Sequence, residues 1–502
     1  MTNVIGRSGV RSICIVGGGS AGWMTAAYAL ANLPNTKIYL IESPNVPIVG
    51  VGEATILGFD TFMEDCDIPF ELWTKSCGST IKCGTFFPNW RDDGLDIWQP
   101  FFFPLVASSK GPLDVVNLGI EADLDKETFF KTSQNWYDSC VTNQKIPSSC
   151  KPAGGQHSVG YHLDAVRLAN FLSEYLRNKH PKLVHIQDHV SNVNSQHESI
   201  VSVDLESGET VSADFFIDCT GFKRLLSNAL PDAEWVDRSN QLFTNAAVAS
   251  QINYVTDDED QTPYVTAQAV DLGWIWKTPV KERIGSGLCY NSDITSKQEA
   301  EDFFVQHWGE DRLRTGQFNH IPFKPEYNAN NWRSNCFSVG LASGFIEPLE
   351  STGLALLING IWGLRCFEKG NYTEQDRLEY NSNMKQVYED SMNFVALHYF
   401  NNPRKGKFWE HVDKNFDATD SLYDLLKGYK QQPSTGIDEQ FFPRNTELFT
   451  EMNWKLWMHT VGIKPALHGL DKDEASKLLE QMIKDDKQNS SPGIKNRAWG
   501  NR

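Results

Sequence analysis

A glycine-rich turn near the start of the chain restricts its possible folds more than any other feature. The apolar strand predicted over 12–16 leads directly into Gly17-Gly18-Gly19-Ser20-Ala21-Gly22, and a helix predicted over 23–32 follows. A second apolar strand, predicted over 37–41, completes a βαβ unit around this G-x-G-x-x-G pattern. The combination of strand, turn and helix predicts a dinucleotide-binding fold.

Each glycine of the turn has a separate predicted task. Gly17 makes the tight turn, Gly19 lets the backbone approach a pyrophosphate, and Gly22 allows the helix to pack closely on the strand. Glu42 ends the second strand, 20 residues after Gly22, where a carboxylate accepts hydrogen bonds from ribose hydroxyls. The predicted cofactor contacts of the turn are Gly17, Gly19, Ser20, Ala21 and Gly22. The motif is compatible with either FAD or NAD.

A second glycine-rich segment covers 49–55 and reads V-G-V-G-E-A-T. A flexible backbone close to the first turn can line a flat ring system. Glu53 and Ala54 are therefore candidate cofactor contacts, and an ordinary turn is the alternative interpretation.

Lys82 stands among apolar and small residues in a strand predicted over 80–87. Most strand lysines are solvated. A lysine that points inward loses its hydration, which is costly, so it is retained for a function. A solvated Lys82 needs no functional explanation, whereas an inward-pointing Lys82 is a candidate catalytic group.

A candidate anion site follows the apolar strand at 336–339. A loop of small residues leads into Phe345-Ile346-Glu347-Pro348-Leu349-Glu350, and the apolar run over 354–362 predicts a buried helix with Ser351 or Thr352 at its N-cap. A helix N-terminus offers free N–H groups and a positive dipole end, which can hold an anion. The alternative is a capped helix with the Glu350 carboxylate near its positive end.

The remaining segments predict the domain organisation. Residues 88–150 are rich in Pro, Asp and aromatic residues and predict an insertion that covers another part of the protein. Residues 374–480 are mainly helical by pattern, and the polar end of the chain is loose by composition. We therefore predict a nucleotide-binding module over 1–373, a helical substrate module over 374–484 and a polar tail over 485–502.

Two other patterns concern the first module. A helix is predicted from Tyr161 to about Asn178, and the buried strand at 215–218 is expected to rejoin the nucleotide sheet. Trp274 and Trp276 lie two residues apart in a predicted strand, so both indoles point to one face. They either fill a core or wall off a cofactor.

Composition excludes several classes of protein. The 502 residues carry a net charge of −18, which argues against nucleic acid or an anionic membrane as the main partner. Ten cysteines show no C-x-x-C spacing, so no metal site is predicted and reduced thiols are expected. The start of the chain lacks a signal sequence, and no apolar run is long enough to span a bilayer. These features predict a cytoplasmic protein.

Taken together, the motifs resemble those of flavin-dependent halogenases of the tryptophan halogenase family, from Gly17 to about Pro465. Trp274 and Trp276 resemble the family's W-x-W-x-I-P, with Thr278 in place of Ile. Lys82 falls at the position of the family's catalytic lysine. Family-like segments also occur at 50–55, 216–222 and 345–353. The resemblance implies an α/β protein in which a Rossmann-like, glutathione-reductase-type FAD module carries a mostly helical substrate module.

The same resemblance implies a reaction. Reduced FAD, supplied by a separate reductase, and oxygen oxidise a halide bound at the Thr352 and Gly353 amides to hypohalous acid. Lys82 holds the acid by a hydrogen bond or as a haloamine and passes the halogen to an electron-rich ring. Glu350 orients the halogenating species or takes the ring proton, and keeps Lys82 charged.

The resemblance also implies further contacts. Val190, Leu341 and Leu354 are expected to touch the flavin, and Trp274 and Trp276 to separate it from the substrate. A homodimer is the expected assembly. Chloride, bromide and iodide are all compatible with the sequence.

Two departures concern the substrate. Gln99 stands where tryptophan halogenases carry a His near a Pro-Phe pair, and the tyrosine pair and carboxylate that grip the amino acid are not evident in 449–457. Free tryptophan is therefore a doubtful substrate, whereas an indole, a phenol or a carrier-bound aromatic stays open. The alternatives to a halogenase are a flavin monooxygenase that hydroxylates an aromatic, and a non-catalytic protein that binds flavin or an indole.

Overall fold

The protein is built on a six-stranded, mostly parallel sheet. The computed structural model describes residues 9–46, 50, 53–91, 94–103, 105–132, 136–150, 159–256, 261–370, 372–431, 448–489 and 494–495. In spatial order the strands of this nucleotide sheet are Leu183–Gln187, Lys37–Glu42, Ser12–Val16, Phe215–Asp218, Cys336–Ser338 and Trp332–Arg333. The first five are parallel and the last is antiparallel. The predicted α/β class and the return of the strand at 215–218 to the first sheet are confirmed.

The carboxyl ends of the parallel strands meet at one edge of the nucleotide sheet, which is where ligands bind in open α/β sheets. The turn after Ser12–Val16 leads into the helix Ser20–Asn32, which begins three residues earlier than predicted. The turn Gly340–Ala342 lies beside it, since a Cβ on Gly340 would be 3.2 Å from the Cβ of Ala21. The edge therefore joins the first motif to the segment that precedes Glu350.

A three-stranded antiparallel sheet, called here the lysine sheet, consists of Glu53–Ala54, Gly160–Leu163 and Thr80–Lys82 in that order. The predicted single strand over 80–87 is wrong, because it is divided at Cys83 and its second half, Gly84–Phe87, joins a different sheet. The Cys83 N–H donates to the Pro263 carbonyl at 2.7 Å, and its own carbonyl accepts from Phe101 at 2.9 Å. These contacts turn the chain from one sheet into the other.

The helix predicted from Tyr161 starts later than expected. Gly160–Leu163 forms the middle strand of the lysine sheet, and the helix covers Ala165–Lys179. Asp164 is its N-cap, since its side chain accepts from the Arg167 N–H at 3.1 Å. An aspartate at this position satisfies an N–H group of the first turn, which fixes the helix start.

A seven-stranded sheet packs beside these elements. Its order is Asn319–Pro322, Ala246–Ile252, Arg283–Tyr290, Gly273–Val280, Val265–Val270, Gly84–Phe87 and Ile97–Pro100. Ile97–Pro100 belongs to the predicted insertion, so that segment begins as an edge strand of this sheet. Trp274 and Trp276 lie on one face as predicted, with ring centroids 6.2 Å apart. A Cβ on Gly287 would be 2.1 Å from the Trp276 ring, so glycine is required there.

The other elements surround these sheets. The remaining strands are Leu105–Ser108, Gly111–Asp114, Lys145–Ile146, Val190–Gln196, Ser199–Leu205, Thr210–Ser212, Trp235–Asp237, Glu326–Asn328, Gly344–Phe345 and Ile494–Lys495. Further helices before residue 373 are Phe59–Asp65, Phe70–Ser76, Val115–Glu121, Lys126–Thr132, Lys297–Trp308 and Thr352–Ile361. The helices after it are Glu374–Tyr399, Lys407–Asn415, Asp420–Gln431, Glu451–Thr460 and Lys472–Asn489. The division of the chain at residue 373 stays a prediction.

Some predicted features lie partly outside the described residues. Within the second glycine-rich segment these are 49, 51 and 52, and in the polar tail only 485–489 and 494–495 are described. Among the helices of the described ranges, none is long and apolar enough to cross a membrane.

A buried ion cluster fastens the helix Glu451–Thr460 to the insertion. The Lys455 Nζ lies 3.0 Å from Asp114 Oδ2 and 2.6 Å from Glu451 Oε1, and neither Lys455 nor Asp114 has exposed surface. Removing one member of such a cluster leaves uncompensated buried charge, whereas an exposed ion pair contributes little.

We therefore expect Lys455→Met to lower the free energy of unfolding by about 3–5 kcal/mol. Lys472→Met is the matched control, because Lys472 is 63% exposed and its pair with Asp123 spans 3.4 Å. This control should shift stability by less than about 0.5 kcal/mol. Urea unfolding followed by tryptophan fluorescence measures both values, and equal effects would contradict the importance of the buried cluster.

Candidate active site

Lys82 ends the edge strand of the lysine sheet and is completely buried. Its Nζ donates to the Ser351 hydroxyl at 2.9 Å and lies 5.0 Å from the centroid of the Phe101 ring. The interpretation of Lys82 as a solvated strand residue is therefore wrong. The lysine points into the protein, at the start of the helix Thr352–Ile361.

The protonation of Lys82 is set by two opposing effects. Burial lowers the pKa of its ammonium group to about 7, although the nearby Glu350 carboxylate raises it. Glu350 is expected to keep the lysine charged, and it does raise the pKa of Lys82. The loss of hydration lowers that pKa by more, so the net shift is downward. Near neutral pH, both the ammonium and the amine are populated.

Ser351 occupies the predicted N-cap in an unusual way. Its φ of 59° is in the left-handed region, and its side chain makes no capping hydrogen bond. The hydroxyl instead accepts from Lys82, so it leaves the N–H groups of the first helical turn uncapped. No acidic residue lies in that turn.

The first helical turn has the properties of an anion site. Thr352 is completely buried, and its Oγ1 has no hydrogen-bond partner among the described residues. A Cβ on Gly353 would meet nothing within 4 Å, so open space adjoins the backbone there. Free donors, a positive dipole end and space fit a halide ion.

Glu350 precedes this turn and is held by two side chains. It is buried, its Oε2 accepts from Gln99 Nε2 at 3.1 Å, and its Oε1 lies 2.6 Å from His398 Nε2. The structure therefore brings Lys82 and Glu350, which are 268 positions apart in the sequence, close to each other at Ser351. Sequence reasoning missed His398, because nothing in the pattern of the helix Glu374–Tyr399 marks it.

The His398–Glu350 pair contains one shared proton. His398 Nδ1 lies 2.8 Å from the Phe394 carbonyl, which can only accept, so Nδ1 carries a hydrogen. Nε2 faces a carboxylate, and a hydrogen bond there also needs one proton. The pair is therefore either an imidazolium with a carboxylate, or a neutral histidine that accepts from a protonated Glu350.

Gln99 and Trp457 extend this cluster. The Trp457 indole N–H donates to Gln99 Oε1 at 2.5 Å, and its ring centroid lies 3.7 Å from that of His398. Trp90 donates to the His398 carbonyl at 3.0 Å. Both ends of the Gln99 amide are thus engaged, one by Glu350 and the other by Trp457.

The predicted tryptophan wall lies next to these aromatics. The Trp274 and Trp90 centroids are 6.5 Å apart, and both indoles are buried. Glu347 lies in the same region, where it accepts from Thr244 and, at 2.7 Å, from Tyr399. Burial raises the pKa of Glu347 to about 7. Sequence reasoning assigned no role to this second carboxylate.

The residues of the first glycine turn fit a dinucleotide. A Cβ on Gly19 would meet nothing within 4 Å, whereas one on Gly22 would be 1.7 Å from the Gly17 carbonyl. The helix after the turn has no side-chain cap and no acid in its first turn, so its N–H groups suit a pyrophosphate. Ser20 and Ala21 are the first residues of that helix.

The other predicted cofactor contacts occupy different surroundings. Glu42 Oε2 lies 2.8 Å from His185 Nε2, and Glu53 accepts from the Ala165 N–H at 2.8 Å. Ala54 is buried in the lysine sheet. Leu341 lies in the turn beside Ala21, Leu354 in the first turn of the helix Thr352–Ile361, and Val190 at the start of Val190–Gln196.

Comparison with known proteins identifies the relatives of this chain. The profile of the tryptophan halogenase family matches residues 12–475. The tryptophan 6-halogenase ThaL of Streptomyces albogriseolus is 31% identical over 443 residues, which cover 84% of this chain and 82% of that protein. The crystal structure of the tryptophan 6-halogenase SttH of Streptomyces toxytricini superposes with a TM-score of 0.87, at 27% identity and over 98% and 100% of the two chains. Xcc4156, a flavin-dependent halogenase from Xanthomonas campestris, superposes with a TM-score of 0.85 at 27% identity over 98% of each chain.

The two glycines of the first turn should respond differently to an added methyl group. Gly22→Ala should lower the free energy of unfolding by about 1–3 kcal/mol, because its Cβ collides with backbone. Gly19→Ala should leave the stability of the cofactor-free protein within about 0.5 kcal/mol and weaken FAD binding about tenfold, because the methyl group blocks the pyrophosphate. Urea unfolding and FAD titration by fluorescence check these expectations. Unchanged FAD affinity in Gly19→Ala would contradict the assigned site.

Proposed function

The chain belongs to the tryptophan halogenase family, and we propose that it uses reduced FAD, oxygen and a halide to halogenate an electron-rich, indole- or phenol-like ring. The members matched above include flavin-dependent halogenases, so the chain is an enzyme of this class. The observation that carries the proposal is the convergence of a buried lysine, a buried carboxylate and an uncapped helix N-terminus around Ser351.

The glycine turn and Glu42 would hold FAD, which supplies the oxidising equivalents once it has been reduced and has met oxygen. The sequence contains no second G-x-G-x-x-G unit for a nicotinamide, so a separate reductase is the proposed source of reduced FAD. The Thr352 and Gly353 N–H groups would bind the halide, and the Thr352 hydroxyl offers a further donor. The product of this half of the reaction is hypohalous acid.

Lys82 would take up the hypohalous acid. As an ammonium it donates a hydrogen bond to the oxygen of the acid. As an amine it attacks the halogen, which forms a haloamine and releases water. A pKa of about 7 makes both forms available near neutral pH. Burial also excludes bulk water, which would otherwise dilute and scatter the oxidant.

Glu350 and His398 would handle the proton that the ring loses. An aromatic ring that accepts a halogen becomes a cation and must release one proton. In the imidazolium form of the pair, the Glu350 carboxylate accepts that proton and His398 stabilises the negative charge until then. Gln99 holds the second carboxylate oxygen in place.

The polar contacts near Trp457 support a substrate without an amino-acid group. Glu451 is the acidic residue in the first turn of the helix Glu451–Thr460. Its carboxylate lies 2.6 Å from the Nζ of buried Lys455. It is therefore not available to grip a substrate ammonium. Gln99 is likewise engaged at both ends. A neutral indole or a phenol avoids the need for either group.

Two other functions were compatible with the sequence. A flavin monooxygenase has no requirement for a buried lysine, and direct hydroxylation needs a substrate that meets the flavin, which Trp274 would obstruct. A non-catalytic flavin- or indole-binding protein has no need to retain both Lys82 and Glu350. The buried, hydrogen-bonded state of both residues favours the halogenase.

Lys82→Ala should abolish halogenation while oxygen uptake continues. The glycine turn is separate from Lys82, so FAD should still bind, but oxidised halide would lose its holder and escape into water. We expect product to fall by at least about a hundredfold at an unchanged rate of oxygen consumption. Product by mass spectrometry and oxygen by electrode, with bromide, NADH, FAD and a reductase, give the two numbers.

Lys82→Met and Glu350→Gln serve as comparisons for this test. Methionine keeps the volume of the lysine, so the same loss of product would exclude collapse of the site as its cause. Glutamine still makes hydrogen bonds but takes no proton, so a small residual activity is expected. Full halogenation by Lys82→Ala would end the proposed mechanism.

Substrate preference is a separate expectation. Indole should be halogenated with a higher kcat/KM than free tryptophan, because Glu451 is paired with Lys455 and Gln99 is engaged at both ends. Steady-state kinetics on both compounds, under identical supply of reduced FAD, measure the ratio. A clear preference for tryptophan would contradict this expectation.

A further inference from the structure

His162 occupies the middle of the lysine sheet and takes no part in the reaction outlined above. It pairs with Ala54 on one neighbouring strand and with Thr80 on the other. The side chain is completely buried. His162 therefore lies between a predicted flavin contact and the strand that ends at Lys82.

The hydrogen bonds of Thr80 determine the tautomer of His162. The Thr80 hydroxyl donates its single hydrogen to the Pro279 carbonyl at 2.7 Å. Its oxygen must then accept from His162 Nδ1, which is 2.9 Å away. Burial and the nearby Lys82 charge also hold the pKa of His162 well below its usual value, so the ring is neutral. With the hydrogen on Nδ1, Nε2 is a bare lone pair that can only accept.

This acceptor has no hydrogen-bond partner in the part of the chain that the structure describes. An unpaired acceptor in the interior is costly, and few native proteins retain one without a reason. The cost would be recovered whenever a small molecule with a single donor hydrogen occupied the site.

The geometry of the lysine sheet relates this lone pair to Lys82. Residues opposite each other in antiparallel strands share a face, and residues two apart on one strand do so as well. His162 is opposite Thr80, and Lys82 lies two residues further along, so the three side chains belong to one face. Gly160 is opposite Lys82, and Phe101 fills the space that a side chain there would take, since a Cβ on Gly160 would be 2.8 Å from its ring.

We propose that His162 Nε2 is a second binding point for hypohalous acid, which donates its O–H to this lone pair before Lys82 takes the halogen. The proposal rests on the proposed function. The acid X–O–H carries one donor hydrogen, which matches a single buried acceptor. The hypohalite ion has no donor and would bring an uncompensated charge, so the site selects the neutral acid.

A pair of substitutions separates this role from a structural one. In His162→Asn the side-chain amide can still donate to Thr80, as Nδ1 does, but the acceptor at Nε2 is lost. In His162→Gln the longer side chain places an amide oxygen near the position of Nε2, but the bond to Thr80 is lost. A binding role predicts that His162→Asn is the more impaired variant, and a structural role predicts the reverse.

The measurement is halogenated indole formed per oxygen consumed, together with hypohalous acid that escapes to a methionine trap in solution. For His162→Asn we expect product per oxygen to fall about fivefold and trap oxidation to rise, at an unchanged rate of oxygen uptake. His162→Gln should retain more of the coupling. Wild-type coupling in His162→Asn, with or without a defect in His162→Gln, would overturn the proposal.

A second measurement does not depend on catalysis. Long-range ¹H–¹⁵N NMR of the histidine rings in the cofactor-free protein, with His162→Asn for assignment, reports which nitrogen carries hydrogen. We expect the Nδ1–H tautomer, and an Nε2–H tautomer would overturn the proposal even if halogenation occurs. Failure of the unsubstituted protein to halogenate any indole or phenol would instead overturn the proposed function, and the proposal with it.

Discussion

The burial of the Lys82 ammonium away from solvent is the constraint on which the rest of this structure depends. In the part of the chain that the structure describes, the Ser351 hydroxyl and the face of Phe101 lie against it, and the nearby Glu350 carboxylate raises its pKa. A charge so poorly compensated gives up its proton easily. The same burial that destabilises the ammonium produces an amine near neutral pH, which is the form that reacts with an electrophilic halogen. The cost in stability and the chemistry thus have one origin.

The position of that lysine results from the change of sheet at Cys83. Thr80–Lys82 and Gly84–Phe87 would be one strand if the chain continued straight, and Lys82 would then lie in the interior of a longer strand. Because the chain turns, Lys82 ends its strand and faces the start of the helix Thr352–Ile361. The next strand, Gly84–Phe87, belongs to the seven-stranded sheet that also contains Trp274. One local break therefore places the lysine at the start of the helix Thr352–Ile361 and the following strand in the sheet that contains Trp274.

The hydrogen-bond partners of the two buried histidines near Lys82 and Glu350 determine where each histidine carries its hydrogens. The Phe394 carbonyl accepts from His398 Nδ1, so a single proton is shared between His398 Nε2 and Glu350. The Pro279 carbonyl accepts the Thr80 hydroxyl hydrogen, so the hydrogen between Thr80 and His162 belongs to His162 Nδ1. In each case, a backbone carbonyl decides which nitrogen of a histidine donates. Phe394 lies four residues before His398 on the same helix, whereas Pro279 is distant in sequence from His162. Buried networks of this kind restrict protonation because each group must find its hydrogen-bond partner among a few fixed neighbours.

The amino-acid sequence by itself determined the elements whose causes are local. Nearby residues predict the glycine turn, the strands at 12–16 and 215–218 and the helix after Ser351. Family motifs mark Lys82 and Glu350 as candidate catalytic residues. Tertiary structure decided what depends on distant partners. It divided the strand at 80–87, diverted the Ser351 hydroxyl from capping to Lys82, brought His398 to Glu350, and let burial outweigh Glu350 in setting the charge of Lys82. Hydration loss and hydrogen-bond pairing arise between segments more than 40 residues apart, and no local pattern records them.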